Sequence, residues 1–438
     1  MACLSFLHLP FSISKMGDTA AGYKLRKIVK EVYGENSSAP SNLFHAAFAR
    51  PAVEGKDKLE GQNVFLTASD ANLQFYDNDH FGPNLDTFMQ YIHEKDGEKT
   101  AVTALAWIWP ENEEDLLKGA PEDAYVVIGD RTGGVGLLSL AYRKAIVYEE
   151  AVHSKPVTMV YTDDAYPHVA LTASDKMIAI NLREGKVWDP IAQLKGVTVM
   201  RQSQGACYLG FANGEVRSAS LQALMTAAQE GKVKKLPAVD TMKIGTFGSK
   251  VVDLVVQGSD VVVRTEECRL FFNRLSDNGQ LEEVRRRKLS PACFRLPCQM
   301  SISATSHLLA VGEGEGSIHL YDLEGKAKGR LEPERRGNAA VIAVGFSADG
   351  RTIIGASTGG VVWRWDRVAA KGDEEEGEDK QEESSKAEEE ETEEGEEEEE
   401  KGEKRKEVED EEDGQEESEE SASVEKAAAK KRGGKRRR

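Results

Sequence analysis

One short segment occurs twice in the chain, as LTASD at residues 66–70 and 171–175, each time followed by a run in which apolar and polar residues alternate. An apolar strand, a tight polar turn and a second alternating strand predict a β-hairpin. The same pattern recurs elsewhere in the chain with other residues in place of LTASD, which gives seven hairpins in succession. Their second strands end near Asp77, Ser139, Asn181, Ala219, Asn273, Asp322 and Asp366.

The spacing of these hairpins, between 38 and 62 residues, is typical of β-propeller blades. Strands buried on both faces read as small and β-branched residues with few charges, as LLAVG at 308–312 does. A further apolar strand precedes each hairpin and suits the innermost position of a blade. These strands read LFHAAF, VTALAWIW, VTMVY, VTVMRQ, VVDLVV, QMSIS and VIAVGFS. The sequence therefore predicts an all-β fold, a seven-bladed β-propeller of the WD-repeat kind.

The two ends of the repeat array differ in strand content. The seventh hairpin is followed almost at once by a segment of charged residues, so it has no outer strand of its own. A spare strand lies at residues 23–32, where apolar and charged residues alternate as an edge strand requires. We expect this strand to pair onto the last blade, because closing the ring removes exposed sheet edges. Insertions are expected at 55–61, 111–123 and 224–235, the last with one or two helical turns.

Charge separates the body of the chain from its tail. Residues 371–438 contain 31 acidic and 15 basic residues, and so carry −16 of the formal net charge of −19. High charge with little apolar material cannot offset chain entropy, which predicts disorder there. We therefore expect a flexible extension over residues 1–22, the propeller over 23–370 and a disordered acidic tail over 371–438.

The tail ends in a basic cluster of the kind read as a nuclear-import signal. It comprises Lys430, Lys431, Arg432, Lys435, Arg436, Arg437 and Arg438. The acidic runs beside it would repel nucleic acid and suit basic partners such as histones, so we expect a nuclear protein that does not bind nucleic acid directly. A solubilising tail without a partner is the alternative. The apolar first thirteen residues favour a start-site extension before Met16 over a signal peptide.

Signals for an enzyme are weak. The glycine-rich segments 129–136 and 312–316 join two strands, whereas a phosphate-binding loop must open a helix. The eight histidines are dispersed, and the five cysteines are scattered as reduced thiols would be. Cys293 and Cys298 have no second pair to complete a metal site. We expect no catalytic residue, metal or cofactor, and no run of residues is apolar enough to span a membrane.

The segment 361–368, VVWRWDRV, closes the globular part, and with VIAVGFSADGRTIIGAS before it this region resembles the last blade of the embryonic ectoderm development (Extra sex combs) family of Polycomb subunits. The resemblance continues backward in the same order through LLAVGEGEGSIHLYDL, YVVIGDRTGGVGLLSLAYRKAIVYEEAV, VTALAW and VFLTASDANLQFYD. It covers most of residues 23–368. Only the WRWDR ending is specific.

That resemblance implies a non-catalytic scaffold of a histone H3 lysine methyltransferase complex. Its implied partners are the catalytic SET-domain subunit with other complex members, and a trimethyl-lysine histone tail peptide held in an aromatic cage. Phe44 matches the first cage phenylalanine and Trp107 a tryptophan that lines the pocket, while the cage tyrosine falls on Thr103. Trp109, Phe294 and Tyr161 are candidates for the missing rings. Phe44 and Trp107 are equally well explained as core residues of inner strands.

Two other kinds of WD-repeat protein remain open. Acidic runs that end in lysine and arginine are common in nucleolar ribosome-assembly factors. The leucine-rich-repeat and WD-repeat protein of the origin recognition complex has a propeller of similar pattern, but no leucine-rich repeat precedes the propeller here.

Overall fold

The computed structural model describes residues 22–30, 43–48, 64–78, 85–108, 124–163, 165–291, 299–314, 316–332, 339–347 and 349–368. For residues 28–30 and 43–48 only the backbone is described. The predictions for the N-terminal extension, the insertions at 55–61 and 111–123 and the acidic tail lie outside these residues.

The first strand, β1 (Tyr23–Lys30), precedes six complete four-stranded sheets in chain order. Blade 1 consists of β2 (Leu43–Phe48), β3 (Val64–Ser69), β4 (Asn72–Asp77) and β5 (Asp86–Ile92). A small hairpin, β6 (Glu94–Lys95) and β7 (Glu98–Lys99), leads to blade 2. Blade 2 consists of β8 (Val102–Ile108), β9 (Tyr125–Asp130), β10 (Val135–Ser139) and β11 (Lys144–Glu149). Blade 3 consists of β12 (Met159–Thr162), β13 (Val169–Ala173), β14 (Met177–Asn181) and β15 (Lys186–Val187).

Blade 4 follows a short 3-10 helix (Ala192–Leu194) and consists of β16 (Val197–Ser203), β17 (Ala206–Phe211), β18 (Glu215–Ala219) and β19 (Thr241–Thr246), with helix α1 (Gln222–Glu230) before β19. Blade 5 consists of β20 (Val251–Gln257), β21 (Asp260–Thr265), β22 (Arg269–Leu275) and β23 (Leu281–Lys288). Blade 6 consists of β24 (Met300–Ser303), β25 (Leu308–Gly312), β26 (Ile318–Tyr321) and β27 (Ala327–Leu331). Blade 7 consists of β28 (Val341–Phe346), β29 (Thr352–Ser357), β30 (Val361–Arg367) and β1.

The seven predicted hairpins are the second and third strands of the seven blades, so the prediction of a seven-bladed propeller is confirmed. Each blade is an antiparallel sheet of four strands, and the predicted inner strands stand first in each sheet. The second strands of blades 1, 2 and 7 are buried at every residue. Their apolar side chains alternate between the two neighbouring blades, since successive residues of a strand face opposite sides of the sheet.

The described core divides into seven apolar clusters, and each cluster lies between two neighbouring blades. The last of them joins blade 7 to blade 1, where Ile354 and Val362 pack against Phe65 and Tyr76. Because every blade shares a cluster with the next, including the last with the first, the seven sheets form a closed ring.

The predicted closing strand is confirmed. Strand β1 pairs antiparallel with β30, from Tyr23 opposite Arg367 to Lys30 opposite Val361. The Tyr23 ring is fully buried, contacts Phe346 edge-on at 6.3 Å, and its hydroxyl donates to the Gly350 carbonyl. The amino end of the propeller therefore supplies the outer strand that the last blade lacks.

Helix α1 is the helical insertion that the sequence predicts between residues 224 and 235, although it begins two residues earlier. Its buried residues Leu224, Met225 and Ala228 enter the cluster between blades 3 and 4. The Asn181 side-chain amide donates to the Ala228 carbonyl at 3.0 Å and so caps the last turn, and Gly231 ends the helix with a φ of 69°. In the described part of the chain, no helix is long and apolar enough to cross a membrane.

Candidate functional site

The inner strands of five blades share an irregularity near their first residue. Strands β2, β8, β16, β20 and β28 each contain one extra residue relative to the neighbouring strand. The extra residues are Phe44, Thr103, Thr198, Val252 and Ile342. A β-bulge re-aims the side chain at its position. Because the inner strands line the axis of the ring, these positions form a girdle at the end of the propeller where the inner strands begin.

Two girdle residues bind the next blade. The Thr103 hydroxyl donates to the Val157 carbonyl at 2.6 Å, and the Thr198 hydroxyl donates to the Val251 carbonyl at 2.6 Å. The same blades approach closely enough that a Cβ on Gly129 would lie 2.4 Å from a Val157 methyl carbon. Thr103 stands where the resemblance expects the cage tyrosine. At this position the hydroxyl of a threonine joins two blades and no aromatic ring is present.

The two predicted pocket residues lie at different levels of the ring. Phe44 is the bulge residue of β2, and its side chain is outside the described part of the structure. Trp107 lies four residues beyond the bulge of β8. Its half-buried ring meets Phe75 of blade 1 edge-on at 5.9 Å, within the cluster between blades 1 and 2. Trp107 thus has a packing role, while its buried indole N–H has no hydrogen-bond partner among the described residues.

Of the three candidate replacement rings, Tyr161 alone is described. It lies on inner strand β12 and is buried, and its hydroxyl donates to Gln202 Oε1 at 2.7 Å. Burial, together with the neighbouring Cys207 and Asp163, raises the pKa of Tyr161 far above its usual value. Trp109, Phe294, the cysteines 293 and 298 and the basic cluster 430–438 all lie outside the described residues. The methyl-lysine pocket stays a prediction.

A charged cluster near the girdle was missed by the sequence analysis. The Asp253 carboxylate is 3 % exposed and accepts hydrogen bonds from Arg201 Nη2 of blade 4 at 2.8 Å and from the Met300 N–H of blade 6 at 2.6 Å. Three blades therefore meet at one side chain. Burial raises the pKa of Asp253 and the Arg201 cation opposes that rise. The sequence feature that could have indicated this cluster is the single aspartate within the apolar run VVDLVV.

Arg264 stands opposite Asp253 on the neighbouring strand of blade 5 and is 1 % exposed. Its two terminal guanidinium nitrogens have no hydrogen-bond partner among the described residues. Burying a cation is costly, and the charge of the nearby Asp253 carboxylate offsets part of that cost. The corresponding register position holds glycine in blades 2 and 4, at Gly129 and Gly210. Blade 5 is thus built differently beside the axis.

A second buried network lies between blades 1 and 2. Asp130 accepts hydrogen bonds from His93 Nε2 at 3.1 Å, from the Tyr148 hydroxyl at 2.6 Å and from Thr132 Oγ1 at 2.8 Å. Burial opposes ionisation of Asp130, but these hydrogen bonds outweigh it and hold the pKa of the carboxyl well below its usual range. His93 and Asp130 are both enclosed by protein, so the pair joins the two blades and is not open to a substrate.

The polar groups of these sites join neighbouring blades. Within the described ranges, no three His, Cys, Asp or Glu side chains converge as a metal site would require. The polar groups beside the axis hold neighbouring blades together, and the bulge girdle surrounds one end of the ring. No protein-family model and no curated protein sequence matches this chain. The fold and its surfaces are therefore what bears on function.

Proposed function

We propose that this chain is a non-catalytic WD-repeat scaffold of a Polycomb-type histone H3 lysine methyltransferase complex. The closed ring supports a scaffold role, because seven shared cores hold the sheets in place while the loops and outer strands stay free to bind partners. The resemblance of the last blade supports the choice of complex.

The observation that carries the proposal is the position of the WRWDR segment. Trp363 and Trp365 are buried in the cluster between blades 6 and 7, and Arg364 donates from Nη1 to the Asn78 carbonyl of blade 1 at 2.8 Å. The segment that most specifically resembles the Polycomb subunit thus lies in the third strand of the last blade, where β1 closes the ring.

The proposal divides the work between the two ends of the ring. The SET-domain subunit binds one end and carries out methyl transfer, and a histone tail peptide binds at the girdle around Phe44. The chain itself supplies no catalytic residue and no cofactor. The basic cluster 430–438 directs it to the nucleus.

Affinity purification from the native cell tests the proposal. A tagged full-length chain is expected to co-purify with a SET-domain protein, and its depletion is expected to lower trimethylation on the H3 tail. A matched tagged chain that lacks β1, and therefore cannot close the ring, is the control for non-specific recovery.

Recovery of pre-ribosomal particles, with H3 trimethylation unchanged on depletion, would contradict the proposal and support a ribosome-assembly role. Recovery of origin recognition subunits would contradict it in favour of the replication-associated relative.

A further inference from the structure

A cleft of about 180 Å³ opens on the outer circumference between blades 4 and 5. Strand β19 and Phe247 form one side, and β22 and β23 form the other. The cleft lies on the third and fourth strands of its blades, whereas the girdle and Asp253 lie on the first, inner strands. It is thus separate from the proposed histone-tail site.

The floor of the cleft is aromatic. The Phe247 and Phe271 rings meet edge-on with centroids 4.9 Å apart. Gly245 keeps the floor open, since a Cβ at that position would lie 3.2 Å from both Phe247 and Leu281. The Arg286 guanidinium lies 4.7 Å from the centroid of the Phe271 ring, which fixes a cation at the edge of the floor.

The wall formed by β23 is basic. Four consecutive basic residues, 285–288, follow the two acidic residues Glu282 and Glu283 in this strand. Arg286 pairs with Glu283 at 2.7 Å, and Arg287 donates to the Gly325 carbonyl of blade 6 at 2.9 Å. Arg285 and Lys288 are exposed and have no ion-pair partner among the described residues. Arg286 stands opposite Phe271 and borders the cleft, whereas Arg285 stands opposite Phe272, whose ring packs on Tyr321 of blade 6. Arg285 and Lys288 are therefore available along the free edge of β23, with Arg285 on the face that turns toward blade 6.

Strand β23 is also a long free edge. It is the last strand of its sheet. One apolar side chain of this strand, that of Val284, is exposed, at 46 %. Met242 on β19 is 51 % exposed and lies beside the turn that leads into β23. Lysine and arginine protect many sheet edges against aggregation. Protection alone does not explain why the exposed side chains of Val284 and Met242 lie next to these cations.

We propose that the cleft and the free edge of β23 bind an extended acidic peptide from a partner protein. Its backbone pairs with β23, one apolar side chain enters the cleft over Phe247, and its carboxylates contact Arg285, Arg286 and Lys288. Strand addition at a sheet edge supplies affinity through main-chain hydrogen bonds and specificity through side-chain pockets. The observation behind it is the charge complementarity between an acidic peptide and the four cations along the free edge of β23, which borders the cleft over Phe247. This inference does not depend on the proposed function.

A labelled twelve-residue peptide of alternating glutamate and threonine with one central leucine is the probe. Its binding to the full-length chain is followed by fluorescence anisotropy at low and moderate salt. We expect saturable binding that weakens by at least about tenfold in Arg285→Glu/Arg286→Glu, since two attractions become repulsions. The matched control is Lys328→Glu/Arg330→Glu, which makes the same charge change on the outer strand of blade 6. We expect less than about a twofold effect there.

A second variant tests the cleft itself. Gly245→Val fills the floor without altering charge, and it is expected to weaken the leucine peptide while leaving unchanged any weak binding of a peptide with serine in place of leucine. Thermal unfolding of each variant shows that the fold is retained. The proposal would be overturned if the leucine peptide did not bind, or if the two charge-reversal pairs lost affinity equally. It would also be overturned if Gly245→Val had no effect in a folded protein. Tighter, Arg285-dependent binding of a single-stranded RNA oligonucleotide would also overturn it.

Discussion

The Asp130 carboxylate lies where blade 2 meets blade 1, and it is stabilised in its charged form by His93, Tyr148 and Thr132. Its pKa in the fold is lower than the ordinary value of 3.8. A carboxylate with a depressed pKa stabilises the fold at every pH above its unfolded value. That contribution is lost as the pH falls below about 4, because the unfolded chain then takes up protons more readily.

Asp130→Asn is therefore expected to lower the free energy of unfolding at pH 7 by about 2–4 kcal/mol, since an amide cannot accept all of these hydrogen bonds. It should also reduce the loss of stability between about pH 5 and pH 3. Urea unfolding at several pH values measures both effects. If the variant and the parent lose the same amount of stability on acidification, Asp130 is not the cause of the acid sensitivity.

Trp107 is the residue at which the pocket and packing interpretations can be separated. Its ring contacts Phe75 within the cluster between blades 1 and 2. We expect Trp107→Ala to destabilise the propeller by about 3 kcal/mol, because a large side chain leaves a cavity between two blades. Trp107→Phe should restore most of that stability. A folded Trp107→Ala variant of unchanged stability that no longer binds a trimethyl-lysine H3 peptide would contradict the packing role.

At the scale of the elements, burial on both faces made the second and third strands of each blade predictable. Segments such as TIIGAS, which contain small and β-branched residues and no charge, are typical of a strand enclosed by two neighbouring blades. The closing strand could be predicted because the last hairpin visibly lacks an outer partner. Helix α1 was predicted from LMTAAQE, although its docking on Asn181 depends on contact across two blades and has no local sequence signal.

The site was less predictable for the same reason. The bulge at Thr103 depends on how β8 and β9 align, which a run of apolar residues does not reveal. Asp253 and Arg264 stand opposite each other on neighbouring strands, and Asp253 accepts a hydrogen bond from Arg201, about 50 residues earlier in the chain. Sequence spacing shows that these residues are charged within apolar strands. It cannot show that they meet.

Strand β1 contributes a whole outer strand to the last blade, so its removal exposes β30 and the Trp363–Trp365 cluster. Deletion of residues 1–30 is expected to abolish the cooperative unfolding of the propeller or lower its midpoint by more than about 10 °C. Deletion of residues 1–21, which keeps β1, is the matched control and should unfold as the parent does. Identical thermal unfolding of the two truncated chains would contradict closure by β1.

The whole molecule divides its charge unevenly. Residues 1–370 carry 45 acidic and 42 basic residues, whereas the following 68 residues carry −16 and yet end in nine residues with seven positive charges. Short clusters of lysine and arginine are the kind of segment that nuclear-import receptors read.

Deletion of residues 430–438 is accordingly expected to shift a fluorescently tagged chain from the nucleus to the cytoplasm, with the thermal unfolding of the propeller unchanged. The matched control replaces Lys404, Arg405 and Lys406 by alanine, because these three cations lie between acidic residues and should be masked by them. That variant should remain nuclear. If the control leaves the nucleus and the deletion does not, import depends on the internal cations. If neither changes location, the final cluster is not an import signal.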